Sequence, residues 1–314
     1  MPEIVTLGET MAVMVPKELG PLKYSPDFRL RMAGAESNTA IGLSKLGHTA
    51  GWISAVGADG LGDYVLSAIR AEGVDVSCVK IDKSHRTGMM VKQPTSTETA
   101  VYYYRDNSAA SHYTSEDLPK EYIQSAKIIH LTGITPVLSK SCLDTVLKIV
   151  EIAKESGKMI SFDPNIRKKL WGSTDYSELM RALLFASDIA LMGHDEAKAL
   201  LSVEEPEGII DILRGKGVRY IAIKNGREGA ICANTIRSVK IAPEKCKPID
   251  PIGAGDGFNA GFLSGILKGY GIETAGRMGA IAGAMATETM GDIGGYPTAA
   301  EMEIRLGNSE RIYR

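Results

Sequence analysis

Cysteine is scarce in this chain. Four of 314 residues, Cys78, Cys142, Cys232 and Cys246, lie far apart with no CxxC or zinc-like spacing. They read as free, mostly buried thiols, which excludes a disulfide framework and suits a reducing compartment. Excess charge is missing too. Thirty-six basic residues against 38 acidic give a net charge of −2, which argues against a nucleic-acid partner, whose surface is usually strongly basic. No apolar run reaches membrane-spanning length. The first residues, Met1-Pro-Glu-Ile-Val-Thr-Leu-Gly, lack the basic and apolar regions of a signal peptide. A cytoplasmic protein without a membrane partner is therefore expected. No GxxxxGK[ST] loop occurs. The turn after the strand Trp52–Val56 is spaced GxxGxG rather than GxGxxG, so neither a P-loop nor a dinucleotide fingerprint is indicated.

What is present is the composition of a globular protein, 44% hydrophobic and 24% charged. The length fits one large α/β domain with an appendage as well as it fits two domains. The most informative stretch runs from Asp250 to Gly269. Gly253, Ala254 and Gly255 permit close backbone approach just before Asp256. Phe258, Phe262 and Ile266 then recur at helical spacing until Gly269. A glycine-rich turn feeding a helix start gathers unpaired N–H groups and the positive end of the helix dipole, which makes an anion site. Asp256 inside it either caps the helix or acts as a general base toward a hydroxyl that attacks a bound phosphate. Gly257, Gly261 and Gly265 each cost a helix about 1 kcal/mol relative to alanine. Something therefore packs very close to that stripe, either backbone or ligand.

Elsewhere the pattern alternates. Ile4–Leu7 reads as a buried opening strand, and strand-like pieces at Met11–Val15 and Phe28–Met32 lie between prolines and glycines. Residues 33–47 form a small-residue turn into an amphipathic helix. Met89–Gln93 and Thr99–Arg105 read as a hairpin turning at Pro94–Thr97, with Val101, Tyr103 and Arg105 on one face. Beyond residue 125, strands at Lys127–Leu131, Met159–Asp163, Ile189–Met192 and Tyr220–Lys224 alternate with helical segments. This predicts a largely parallel sheet covered on both faces. Asp163, Glu196, Lys224 and Asp250 fall at or just beyond strand ends, the edge where ligands sit in such sheets.

Asp250-x-x-Gly-Ala-Gly-Asp256 resembles the carboxy-terminal signature of the ribokinase-like (PfkB) carbohydrate kinases. Gly34-Ala-Glu-x-Asn38 resembles their amino-terminal one, with Ala33 in place of the usual first glycine. The resemblance spans nearly the whole chain. It implies a three-layer αβα sandwich with a small β-sheet lid: a core of residues 1–8, 33–83 and 107–314, and a lid of 9–32 and 84–106. Such lids often pair between subunits, so a homodimer through the lid is expected.

The resemblance also implies site roles. Asp256 is the catalytic base, and the amides of Gly253, Ala254 and Gly255 form the anion hole. Gly34 and Asn38 line the sugar pocket. Asn165, Lys224, Gly226 and Gly229, with Gly253 and Gly255, meet ATP. Glu196 helps to position Mg2+, although Gly193 stands where the family has asparagine, and Asp250 is a further metal candidate. Tyr103, Arg105 and Arg167 resemble the pocket of the sugar-acid members, the 2-keto-3-deoxygluconate kinases, and Asp292 occupies the place of a late substrate contact. The expected reaction is phosphoryl transfer from ATP to a primary hydroxyl of a small sugar or sugar acid. A fructokinase-like activity on a neutral sugar, or a catalytically silent sugar- or nucleotide-binding regulator, is the alternative.

Overall fold

The structure is a computed structural model and describes residues 1–95 and 99–308. Its strands are β1 (Ile4–Leu7), β2 (Met11–Pro16), β3 (Phe28–Ala33), β4 (Ala50–Gly57), β5 (Val79–Asp82), β6 (Met89–Pro94), β7 (Thr99–Tyr104), β8 (Ile128–Thr132), β9 (Met159–Asp163), β10 (Ile189–Gly193), β11 (Tyr220–Lys224), β12 (Ala230–Asn234) and β13 (Ser238–Ile241). Nine of them form one sheet in the order β13-β12-β11-β10-β9-β8-β1-β4-β5. Pairing is parallel from β11 through β5 and antiparallel at the β11-β12-β13 edge.

Period-two alternation divides these strands between two cores. Val5, Leu7, Ile129, Leu131, Ile160, Phe162, Ala190, Met192, Ile221 and Ile223 face one side, with the helices Lys140–Glu155, Ser177–Ala186 and Pro206–Gly215. Ile4, Ile128, Ile189, Leu191 and Ala222 face the other, with Ala35–Lys45, Gly60–Ala71 and Ala254–Leu267. The product is the expected three-layer αβα sandwich. Because the inner strands are buried on both faces, they read in the sequence as unbroken apolar runs.

The second sheet has the order β3-β2-β6-β7. β2 pairs antiparallel with β3 and parallel with β6, and β6 pairs antiparallel with β7. Its strands come from the two stretches expected to build the lid. The expected hairpin turn Pro94–Thr97 falls partly outside the described residues.

The glycine stripe is explained by backbone packing. Helix Ala254–Leu267 lies against helix Ile272–Ala286, and a Cβ on Gly261 would stand 2.3 Å from the carbonyl oxygen of Met278. No ligand is needed to account for it. No helix among the described residues is long and apolar enough to cross a membrane.

Candidate active site

The carboxyl ends of β1, β9, β10 and β11 deliver polar groups to one edge, where the helix Ala254–Leu267 begins. Gly253 precedes that helix in the left-handed region, at φ 81°. A Cβ there would lie 2.1 Å from the carbonyl oxygen of Asp292, so glycine is required on two counts. Tyr296 donates its hydroxyl to the Gly253 carbonyl at 2.9 Å. Asp250 accepts from the N–H of Ile252 (3.1 Å) and of Gly291 (3.3 Å), stapling the turn to the 291–292 loop. The first-turn amides of Gly255 and Asp256 have no partner within the helix. These free donors lie in the Gly253–Asp256 turn, where the sequence places an expected anion cradle.

Asp256 does not cap its own helix through its side chain. Its Oδ2 instead accepts from Asn38 Nδ2 at 2.8 Å. Burial pushes its carboxyl up to about 7, against the Asn38 hydrogen bond, and repulsion from Asp163 and Asp292 adds to the rise. A carboxylate poised near neutrality fits a general base better than a helix cap. The same Asn38 amide reaches Asp292 at 3.4 Å, and Asn38 Oδ1 is buried with no protein partner. That orphan acceptor suits a substrate hydroxyl. Gly34 precedes the Asn38 helix in extended conformation, packed on the Glu9 carbonyl and Thr10.

Next to the cradle lies a buried ion pair. Lys224 Nζ donates to Asp163 Oδ2 at 2.7 Å and to Asn259 Oδ1 at 3.1 Å, and Asn259 Nδ2 donates to the same Asp163 oxygen at 2.7 Å. The ammonium is 3.9 Å from where a Cβ on Gly255 would stand, so a cation lies beside the anion turn. Gly226 and Gly229, both at positive φ, shape the turn between β11 and β12. Asn165 is buried at φ 39° with its N–H on Asp163 Oδ1 at 3.1 Å. Arg167 is exposed at the start of the short helix Lys168–Trp171.

Glu196 accepts from the N–H of Ile166 at 2.7 Å and of Gly193 at 2.8 Å. Burial and then repulsion from Asp163 raise its carboxyl, with Lys224 opposing. Neither Glu196 nor Asp250 belongs to a group of three acidic, histidine or cysteine side chains able to hold a metal among the described residues. Glu196 lies close enough to Asp163 for the two carboxyls to repel, and its oxygens, each accepting one amide, keep lone pairs that fit the water shell of Mg2+.

The lid contributes two cations. Arg105 is buried, its Nε donating to Glu9 Oε2 at 2.7 Å and a terminal nitrogen also touching that oxygen, with its Cζ 5.9 Å from the centre of the Tyr103 ring. Tyr103 itself is 41% exposed. The second cation, Lys92, is not evident in the sequence: its ammonium is buried against Asp292 Oδ1 at 3.3 Å. Glu9 and Asn259 are equally silent in the sequence, because each matters through a partner far along the chain.

Comparison with known proteins agrees with this geometry. The model for the pfkB family of carbohydrate kinases matches residues 1–299. The 2-dehydro-3-deoxygluconokinase of Bacillus subtilis (strain 168) is 36% identical, the alignment covering 99% of this chain and 98% of that protein. A PfkB protein from Polaromonas sp. JS666 superposes with a TM-score of 0.87 at 37% identity, covering 96% of this chain and 99% of the other. An uncharacterized sugar kinase from Pyrococcus horikoshii in complex with ATP gives a TM-score of 0.84 at 26% identity, with 96% and 97% covered. Both signatures, the fold and these likenesses converge: the chain belongs to the pfkB family of carbohydrate kinases and is a sugar kinase.

Proposed function

We propose that the protein transfers the γ-phosphoryl group of ATP to a primary hydroxyl of 2-keto-3-deoxygluconate, the sugar acid also called 2-dehydro-3-deoxygluconate. The observation that carries this reading is Asp256, held by Asn38 beside the Gly253–Gly255 cradle with its carboxyl near neutrality. In this reading Asp256 takes the hydroxyl proton as the oxygen attacks the γ-phosphorus. The cradle amides and Lys224 then stabilise the charge gathering on the phosphate oxygens. Bound Mg2+ would neutralise phosphate charge, with Glu196 and Asp163 holding its waters.

The acid is favoured by the identity with the B. subtilis relative and by Arg105 beneath Tyr103. Glu9 occupies Nε and one terminal nitrogen of the guanidinium. The remaining donors of the fork are suited to a substrate carboxylate. One observation favours a neutral sugar instead, since Glu9 already balances the Arg105 charge. Comparing the acid with fructose in a single ATP-consumption assay separates the readings. Arg105→Ala should lower kcat/KM for the acid roughly 10- to 100-fold, the loss of a charged hydrogen bond, in a preparation whose melting curve remains cooperative. Equal losses on both sugars, or fructose as the better substrate of the unaltered protein, would favour the fructokinase reading. The half-exposed Met14 and Val91 and the exposed Tyr102, adjacent across β2, β6 and β7, support pairing of two copies through the lid, which sedimentation tests.

A further inference from the structure

We propose that Lys92 is a positioning residue that ties lid closure to the ionisation of the base through Asp292 and Asn38. Alternation in β6 turns Met90 and Lys92 to the same side, and both are buried. A lysine normally keeps its ammonium in water even when its stem is covered. Here the ammonium is buried on a carboxylate of the catalytic edge.

A continuous run of contacts follows. Lys92 Nζ meets Asp292 Oδ1 at 3.3 Å, Asp292 Oδ2 accepts from Asn38 Nδ2 at 3.4 Å, and the same amide donates to Asp256 at 2.8 Å. The backbone of Asp292 also abuts Gly253 in the cradle. One amide thus serves two carboxylates, and the lid supplies the cation that balances the second. Withdrawing the lid takes that cation away and leaves Asp292 unbalanced beside the base. Closing it offsets part of that repulsion and favours the ionised form of Asp256 when substrate is enclosed. The other charged and titratable groups acting on Asp256 are Asp163 and Lys224 at the ends of β9 and β11, and Tyr296 in the loop that follows Asp292.

This inference rests on Asp256 being the base, and its test separates the two. The pH dependence of kcat/KM is measured for the unaltered protein, Lys92→Met, Lys92→Arg and Lys92→Met/Asp292→Asn. The acid limb of Lys92→Met should move up by about half a pH unit or more, in the sense expected when a nearby opposite charge is lost. The KM for the sugar should rise severalfold. Lys92→Arg, which keeps the charge, should restore both. The double variant, which also removes the unbalanced carboxylate, should return the limb to its original position or below. An unshifted limb in Lys92→Met overturns the role of Lys92 alone, provided that Asp256→Asn is inactive. An active Asp256→Asn, or an unaltered protein with no acid limb, overturns the base as well. Lys92→Gln takes the place of the methionine variant if that protein does not fold.

Discussion

Asp256→Asn lowers kcat by roughly 10²- to 10⁴-fold, the usual contribution of a positioned general base, while sugar binding measured by calorimetry persists. Asparagine keeps the shape and an oxygen able to accept from Asn38, so the arrangement survives and only the basicity is lost. Unchanged turnover would refute the role. In the unaltered protein the base must be ionised, and burial places its carboxyl at about 7. Below that value kcat/KM should fall tenfold per pH unit. Stability should move the opposite way. A carboxyl raised above its unfolded value binds more protons in the folded state, so stability declines as pH rises from the ordinary aspartate range through about 7. Asp256→Asn removes that penalty, and its melting temperature should exceed that of the parent at neutral pH. A lower melting temperature at that pH would contradict the desolvation of Asp256.

Lys224→Met should cost about 3–5 kcal/mol, because it leaves Asp163 buried without its counter-ion. Asp163 is nearly inaccessible, its side chain 3% exposed. Burial pushes its carboxyl up, but the Lys224 charge and hydrogen bond, together with Asn259, outweigh that and hold it below the usual carboxylate range. A depressed carboxyl stabilises the fold above its unfolded pKa, and the contribution is lost as pH falls through the folded value. Melting curves should therefore separate by roughly 5–8 °C at neutral pH and converge in strong acid. Equal melting at neutral pH would show that the pair contributes nothing net. ATP affinity should fall as well, since the ammonium lies beside the Gly255 turn.

Much of the fold is legible because the inner strands are apolar on both faces. Ile4–Leu7, Met159–Asp163 and Tyr220–Lys224 occur at the expected residues. The edge strands are harder to read. β5 (Val-Lys-Ile-Asp) and β13 (Ser-Val-Lys-Ile) alternate for only four residues and β12 (Ala-Ile-Cys-Ala-Asn) is a short apolar run, so no pattern lasts long enough to mark a strand. In the site, Asp256, Asn38 and Lys224 stand out because a glycine turn or a strand end points to them. Lys92 does not, since a lysine in a strand ordinarily marks a solvated face. Arg105 is visible as a cation on the lid, but its partner Glu9 is separated from it by 96 residues, and only tertiary structure joins them. The glycine stripe leaves backbone and ligand equally open until the helix Ile272–Ala286 is seen against it.

The bond between Asn38 and Asp256 spans 218 residues. During synthesis, Asn38 therefore leaves the ribosome long before the Gly253–Asp256 turn exists. The Asp292 carbonyl against which Gly253 rests is made later still. Closing so long a loop costs entropy before the contact rewards it, so a chain interrupted before residue 250 would carry Asn38 without the carboxylate it serves.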